Sequence, residues 1–265
     1  MLSTAFQYRC LLTLLQQSTC RARHSLSVSQ KHVSRLASSS SSNLTRHLVN
    51  SKNLIEKHTV VSTNHLSPSI KLRLITPECP LWYSGTDDCP FNEPYWAFYW
   101  PGGQALTRFI LDHPDMFRGK SLLDVGCGCG ASAIAGAMVG ARTVLANDID
   151  PVAIDAVRLN MLLNNVTLET SSENLIGHHY TNLDVVLLGD MFYDKDFSNM
   201  LNDWLKELAA RGTTILVGDP GRVYLRDHPI RSKLLKLMDY ELLEQCKREN
   251  NGLSNGYVWQ FQSNE

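Results

Sequence analysis

The sequence predicts an α/β fold: a mostly parallel sheet with helices on both faces, closed by an antiparallel strand near the C-terminus. Three observations carry this. Short apolar, strand-like segments alternate with helix-compatible ones through the second half of the chain, and repeated strand–helix–strand units build a parallel sheet covered on both sides. A glycine-rich turn, Leu122-Leu-Asp-Val-Gly-Cys-Gly-Cys-Gly130, ends one of these strands and opens a helix, which is where such sheets bind nucleotide-like ligands. The alternation stops near the end, where two strand-like segments follow one another, and a parallel sheet accepts such an antiparallel closure.

The elements follow in order. Ile70-Lys-Leu-Arg-Leu-Ile75 alternates apolar and basic residues, the period of a half-exposed strand. A turn-rich segment then gathers Trp82, Tyr83, Tyr95, Trp96, Phe98, Tyr99 and Trp100 among prolines, a composition suited to a packed lid over the core. A helix is predicted from Gly103 to Leu111. Strands are predicted over Ser121–Val125, Thr143–Asn147, Val166–Glu169, Asp184–Gly189 and Thr213–Gly218. Helices are predicted over Ala131–Val139, Pro151–Leu163, Phe197–Ala210 and Ile230–Met238. Asp150 before Pro151 pairs a capping side chain with a proline in the first turn, a strong helix start. The tail is read as strands Tyr240–Cys246 and Gly256–Phe261 joined by a polar loop.

The 265 residues suffice for one sizeable α/β domain plus an appendage. A hydrophobic content of 43%, a charged content of 19% and a net charge of −1 are ordinary for a globular protein and do not suggest a nucleic-acid binder. The charge is unevenly spread. No acid precedes Glu56, whereas Arg9, Arg21, Arg23, Lys31, Arg35, Arg46 and Lys52 do; the remainder holds 18 basic against 26 acidic side chains, a net of −8. A basic, acid-free stretch with the run Ser38 to Ser42 has the composition of a mitochondrial transit peptide. The organisation expected is therefore a leader over 1–55, an N-terminal strand and aromatic lid over 56–103, and the catalytic domain over 104–265. No window reaches the apolar length of a membrane span. The seven cysteines form no zinc spacing and no Cys-x-x-Cys pair; they read as free thiols of a reducing compartment, and no metal site is expected.

The glycine turn is ambiguous alone, because Gly126, Gly128 and Ala131 also fit the dinucleotide fingerprint. Asp124, two residues before Gly126, favours a cationic ligand: it can attract the amino and sulfonium end of S-adenosylmethionine, whereas a pyrophosphate would be repelled. Asp148 ends the next strand, where an acid accepts ribose hydroxyls. Gly130 completes the turn, and Asn174, after the third strand, is a candidate for the adenine edge.

Gly189-Asp-Met-Phe-Tyr-Asp194 ends the fourth strand beside the same crevice. A carboxylate there can orient a nitrogen nucleophile and stabilise the positive charge that arrives on it, which makes Asp190 the candidate. Phe192 and Tyr193 are candidates to wall an amine by cation–π attraction. The bland alternative places Phe192 in the core and Asp194 at a helix cap. Gly218-Asp-Pro-Gly-Arg222 is a second acid-bearing strand end that can face the crevice, or a plain turn.

Taken together, Trp100-Pro-Gly-Gly103, the glycine turn, Ala146-Asn-Asp-Ile-Asp-Pro151 and Asp190-Met-Phe-Tyr193 resemble the seven-β-strand protein-lysine methyltransferases. Pro94-Tyr-Trp-Ala-Phe-Tyr-Trp-Pro-Gly-Gly-Gln-Ala-Leu106 and Gly218-Asp-Pro-Gly-Arg222 narrow the resemblance to the branch acting on the β subunit of mitochondrial electron transfer flavoprotein. The resemblance covers about Ser69 to Phe261. It implies a Rossmann-like, seven-stranded class I methyltransferase sheet and a monomeric matrix enzyme that trimethylates lysines of that subunit and so modulates its electron transfer. It also implies cofactor contacts at Trp100, Asp124, Gly126, Asp148 and Asn174 and a substrate-lysine signature at Asp190 and Tyr193. A methyltransferase for a ribosomal protein or a small amine is the alternative, because a fold does not choose its substrate. Cys127 and Cys129 depart from the serine or alanine common between such glycines.

Overall fold

The computed structural model describes residues 51–85 and 88–262; the leader before residue 51, with Cys10, Cys20 and the serine run, lies outside them. The described chain is already helical over 51–58, and Ile55 is completely buried, so ordered packing starts before the expected boundary at 55.

Nine strands are described: β1 (Val60–Ser62), β2 (Leu72–Leu74), β3 (Ser121–Val125), β4 (Thr143–Asn147), β5 (Glu169–Ser171), β6 (Val185–Gly189), β7 (Thr214–Asp219), β8 (Leu234–Glu241) and β9 (Asn255–Phe261). The six helices named below are α1 (Pro101–Asp112), α2 (Ala131–Met138), α3 (Pro151–Asn164), α4 (Lys195–Ala210), α5 (Val223–Arg226) and α6 (Glu244–Glu249). β1 and β2 form a small antiparallel pair; the other seven make one sheet in the order β5-β4-β3-β6-β7-β9-β8. All neighbours are parallel except around β9, which runs antiparallel to both β7 and β8. The order reverses between β3 and β6, and the carboxyl ends of those two strands open the crevice in which such sheets hold ligands.

Alternation along each strand feeds two cores. Leu122, Leu187 and Leu216 face α1 and α2 with Leu106, Phe109, Ile110 and Ile134. Leu123, Val125, Val186, Leu188, Ile215 and Val217 face Leu201, Trp204, Leu205 and Leu208 of α4. Residues buried on both sheet faces are expected where helices cover both. The aromatic segment forms a third cluster, in which Trp82, Phe91, Trp96 and Phe98 pack with Ala153, Ala156 and Leu159 of α3.

Helix α1 lies unusually flat on the sheet. A Cβ on Gly102 would come closer than 3.0 Å to the Gly218 carbonyl, and one on Gly218 would strike the Gly102 carbonyl in return. Hydrogen at both positions lets the start of α1 rest backbone-to-backbone on the end of β7.

Several sequence expectations are corrected. The third sheet strand is β5 at Glu169–Ser171, later than Val166–Glu169. The helix expected over Ile230–Met238 is a short 3-10 turn, Pro229–Lys233, followed by β8. Its residues pair with β9 from Leu234 opposite Phe261 to Glu241 opposite Asn255, a non-local partnership that outweighs local helix propensity. The strand expected over Tyr240–Cys246 is therefore the end of β8 and the start of α6. The Ile70–Ile75 strand shortens to β2, and its partner β1 is too short to show a period in the sequence.

Candidate active site

The glycine turn follows β3 and is built from left-handed backbone: Gly126, Gly128 and Gly130 have φ of +64°, +53° and +78°, which side-chain-bearing residues adopt only under strain. Met191 covers Gly126, so a Cβ there would collide with its Sδ, whereas at Gly128 the nearest atom would be the Trp96 Cα at 3.7 Å. The turn is thus packed tightly at Gly126, while Gly128 meets the Trp96 backbone only at ordinary contact distance.

Two carboxylates brace this turn. Asp148 Oδ2 accepts the Gly128 amide at 3.0 Å and its Oδ1 accepts the Asp150 amide at 3.0 Å. Asp124 is buried and accepts the Ala133 amide, third in α2, at 3.0 Å, a favourable place for negative charge at a helix start. Burial pushes Asp124 up to about 7, with the charge of Asp148 adding to the rise and the Ala133 hydrogen bond opposing it. Burial also raises Asp148. The two cysteines between the glycines are free, Cys129 buried and Cys127 half-buried; desolvation pushes Cys129 up to about 12 and raises Cys127 well above a normal thiol.

Asp190 sits immediately after β6 in left-handed conformation, φ +57°, and is 8% exposed. Its amide donates to the Gly218 carbonyl at 2.8 Å. Its Oδ2 accepts the Gly103 amide of α1 at 2.9 Å, and its Oδ1 accepts Arg222 Nη2 at 2.8 Å and Nε at 3.2 Å. The Arg222 guanidinium also lies 5.6 Å from the centre of the Trp100 ring. Trp100 itself is half-buried, and its Nε1 donates to the Tyr95 carbonyl at 3.0 Å. The second acid-bearing strand end is part of this cluster. Gly189 and Gly218 are register partners on β6 and β7, so the two Gly-Asp pairs end side by side. Asp219 is fully buried; its Oδ1 takes the amides of Gly221 at 2.6 Å and Arg222 at 2.7 Å, and its Oδ2 meets no protein partner.

The remaining sequence candidates are placed as follows. Tyr193 is half-buried with its ring stacked on Phe197, centroids 5.1 Å apart. Its phenol is pushed up to about 12 by burial, with the charges of Asp148 and Asp194 adding to the rise. Phe192 belongs to the core: it is completely buried in the cluster with Leu201 and Trp204, so it presents no wall to an amine, and Asp194 caps α4 through the Phe197 amide at 2.9 Å. Asn174 is exposed and its side-chain carbonyl accepts the Ile176 amide at 3.2 Å. The sequence reading did not single out Asn147, which is buried and donates to the carbonyls of Ser171 at 3.0 Å and Glu173 at 2.8 Å, fixing the loop on which Asn174 stands. Met191, which stands after Asp190 where enzymes methylating base or glutamine amide nitrogens carry a Pro-Pro-aromatic run, packs its side chain over Gly126. Among the described residues no cluster of His, Cys, Asp and Glu is arranged to hold a metal, and no helix is long and apolar enough to cross a membrane.

A seven-stranded sheet with one antiparallel strand, a glycine turn after β3 and an acid directly after β4 define a class I methyltransferase fold. The family model for ribosomal protein L11 methyltransferase (PrmA) matches residues 105–220. The electron transfer flavoprotein beta subunit lysine methyltransferase of Xenopus laevis is 48% identical over 213 residues, 80% of this chain and 87% of the relative. The human protein of the same name is 48% identical over 214 residues, 80% and 82% of the two chains. Among solved structures, a ribosomal protein L11 methylase from Lactobacillus delbrueckii subsp. bulgaricus superposes with a TM-score of 0.44 and 18% identity over 62% of this chain and 81% of that one. The chain belongs to the electron transfer flavoprotein beta subunit lysine methyltransferase family.

Proposed function

We propose that this protein transfers methyl groups from S-adenosylmethionine to lysine side chains of the electron transfer flavoprotein β subunit in the mitochondrial matrix. The observation that carries the reading is Asp190, a buried carboxylate held on both oxygens at the crest between the glycine turn and the β7 end. Relatives at 48% identity that carry this activity in their name support the acceptor. The basic, acid-free N-terminal stretch supports the matrix address. Trimethylation, and a resulting adjustment of electron transfer by the flavoprotein, belong to the same reading, as does action by a monomer.

The residues fit the cofactor. The left-handed glycines of the turn leave backbone free of side chains against which a ligand can lie. Each Asp148 oxygen takes one amide and keeps lone-pair capacity for ribose hydroxyls. Asp124, raised by burial, gains ionisation from a nearby cation and in return holds the amino and sulfonium end. Trp100, Gly126 and Gly130 are assigned to the same cofactor site, and Asn174, exposed on the loop after β5, is the candidate for the adenine edge. When bound, the cofactor supplies a methyl group on a sulfonium: the lone pair of a neutral lysine Nζ forms the N–C bond, the C–S pair stays on sulfur, and an N-methyl ammonium results. Asp190 faces the nitrogen on which that charge appears, and preorganised charge of this kind is an effective catalytic device. Tyr193 is assigned with it to the substrate lysine.

Asp148→Ala is expected to weaken S-adenosylmethionine binding by about ten- to a hundredfold, the scale of losing a charged hydrogen-bond acceptor, as read by calorimetry. Incubation of the protein with methyl-labelled S-adenosylmethionine and mitochondrial extract tests the function: label on a flavoprotein subunit is expected, and label confined to nucleic acid or small metabolites rejects the reading.

A further inference from the structure

The geometry points to Arg222 as a positioning residue that sets the charge state in which the acceptor lysine is held at Asp190. The inference deepens the lysine reading and rests on it. A lysine titrates near ~10.4, and a lone carboxylate beside it would strengthen its grip on the proton that blocks methylation. The chain answers this with a second cation. Arg222 Nη2 stands 2.8 Å from Asp190 Oδ1, with side chains only 16% and 7% exposed, so the guanidinium partly neutralises the carboxylate as seen by an incoming amine and leaves it some negative charge for the ammonium that forms.

Neutralisation does not remove the hydrogen-bonding function. Asp190 Oδ2 is engaged by the Gly103 amide alone, and a carboxylate oxygen has room for a second donor. It can therefore accept an N–H from a neutral amine and leave the Nζ lone pair free for the methyl carbon, while the proton already lost has gone to water. Asp190 orients and Arg222 keeps it from acting as a trap for ammonium.

Arg222 is itself held in place. Asp219 grips the backbone amides of Gly221 and Arg222, and the guanidinium lies over Trp100. Burial pushes Asp219 up to about 7, with Asp190 raising it and Arg222 lowering it, in keeping with the hydrogen bonds that join the three residues. The other charged groups around them are accounted for. On the cofactor side stand Asp124 and Asp148, whose charge adds to the rise of the Tyr193 phenol. Helix α1 offers only Gly102 and Gly103 here, and its Arg108 and Asp112 bond to each other. On β9, Tyr257 is the register partner of Asp219, and on α5 Arg226 pairs with Asp227. Lys236 lies 5.3 Å from the Tyr257 ring and pairs with Asp239, and Arg231 lies over the Trp259 ring; among the described residues Arg222 is the cation paired with Asp190.

The test is the pH profile of methyl transfer to the intact flavoprotein subunit by wild type, Arg222→Gln, Arg222→Met and Arg222→Lys. The two neutral variants are expected to move the rising limb of kcat/KM to alkaline pH by about one unit, about tenfold slower near neutral pH and recovering at high pH, with kcat reduced and KM for the protein substrate no higher. Arg222→Lys keeps the charge and is expected to keep the wild-type limb with a lower plateau. A neutral variant whose profile is uniformly lowered but unshifted would show a merely structural arginine and overturn the inference, as would a Lys variant shifted as far as Gln. Failure of the wild type to methylate any lysine would instead overturn the functional reading, and this inference with it.

Discussion

Asp190→Asn is expected to lower kcat/KM for the protein substrate by about 10²–10³-fold, the effect of removing one preorganised charge from a reacting centre, while S-adenosylmethionine affinity stays at the wild-type level. The two readouts separate because Asp190 lies between the end of β6 and the start of α1, whereas the glycine turn is braced by Asp124 and Asp148. Asparagine keeps an acceptor for the Gly103 amide, so the left-handed crest is retained. It also leaves Arg222 without its counter-charge. Breaking a largely buried pair from one side is destabilising, and a modest fall in melting temperature is expected alongside the loss of rate. Unchanged turnover would remove Asp190 from the chemistry; lost cofactor binding would mean that it supports the fold of the crevice instead.

Gly102→Ala is expected to cost about 3 kcal/mol or more, at or beyond the upper range for inserting a methyl group into a packed interior. For a chain of this size that is a melting-temperature fall of about 6–12 °C. The methyl would enter the space of the Gly218 carbonyl and the Asp190 carboxylate, both closer than 3.0 Å, and backbone cannot rotate aside as a side chain does. Gly103→Ala, one position on, provides the contrast. Its Cβ would meet only Tyr99 ring atoms, the nearest at 3.7 Å, and alanine favours helix over glycine by roughly 1 kcal/mol. Calorimetry should find Gly103→Ala near wild type or above it. Equal losses at the two positions would mean that flush packing of α1 on β7 is not what the glycines provide.

What could be read from the sequence was what local chemistry determines. β3 and the turn after it follow from an apolar run ending in glycines, and β4 from one ending in Asn-Asp before a helix start. Asp150 caps α3 through the Val152 amide at 2.8 Å, as an Asp-Pro start dictates. Where pairing across the chain decides, the sequence was silent or misleading. Leu234-Leu-Lys-Leu-Met238 suits a helix as well as a strand, and only β9 selects the strand. The union of Asp190 with Arg222 spans 32 positions and needs β6 and β7 to lie in register. Its signal was the repeated Gly-Asp pair at two strand ends, Gly189-Asp190 and Gly218-Asp219, which becomes a site only when the two glycines are paired. Phe192 shows the opposite limit: a motif places residues near a crevice but does not say which side chain turns inward, and the buried cluster under α4 claims this one.

The central claim, a lysine methyltransferase acting through Asp190, is tested most directly by mass spectrometry of purified electron transfer flavoprotein after incubation with S-adenosylmethionine and either wild-type protein or Asp190→Asn. The account predicts mass increments of up to three methyl groups per modified lysine, mapped to lysine-bearing peptides of the β subunit, with wild type, and an unmodified subunit with the variant over the same time. Methylation by Asp190→Asn at the wild-type rate, or a wild-type reaction that leaves every lysine of the subunit unmodified, would contradict it.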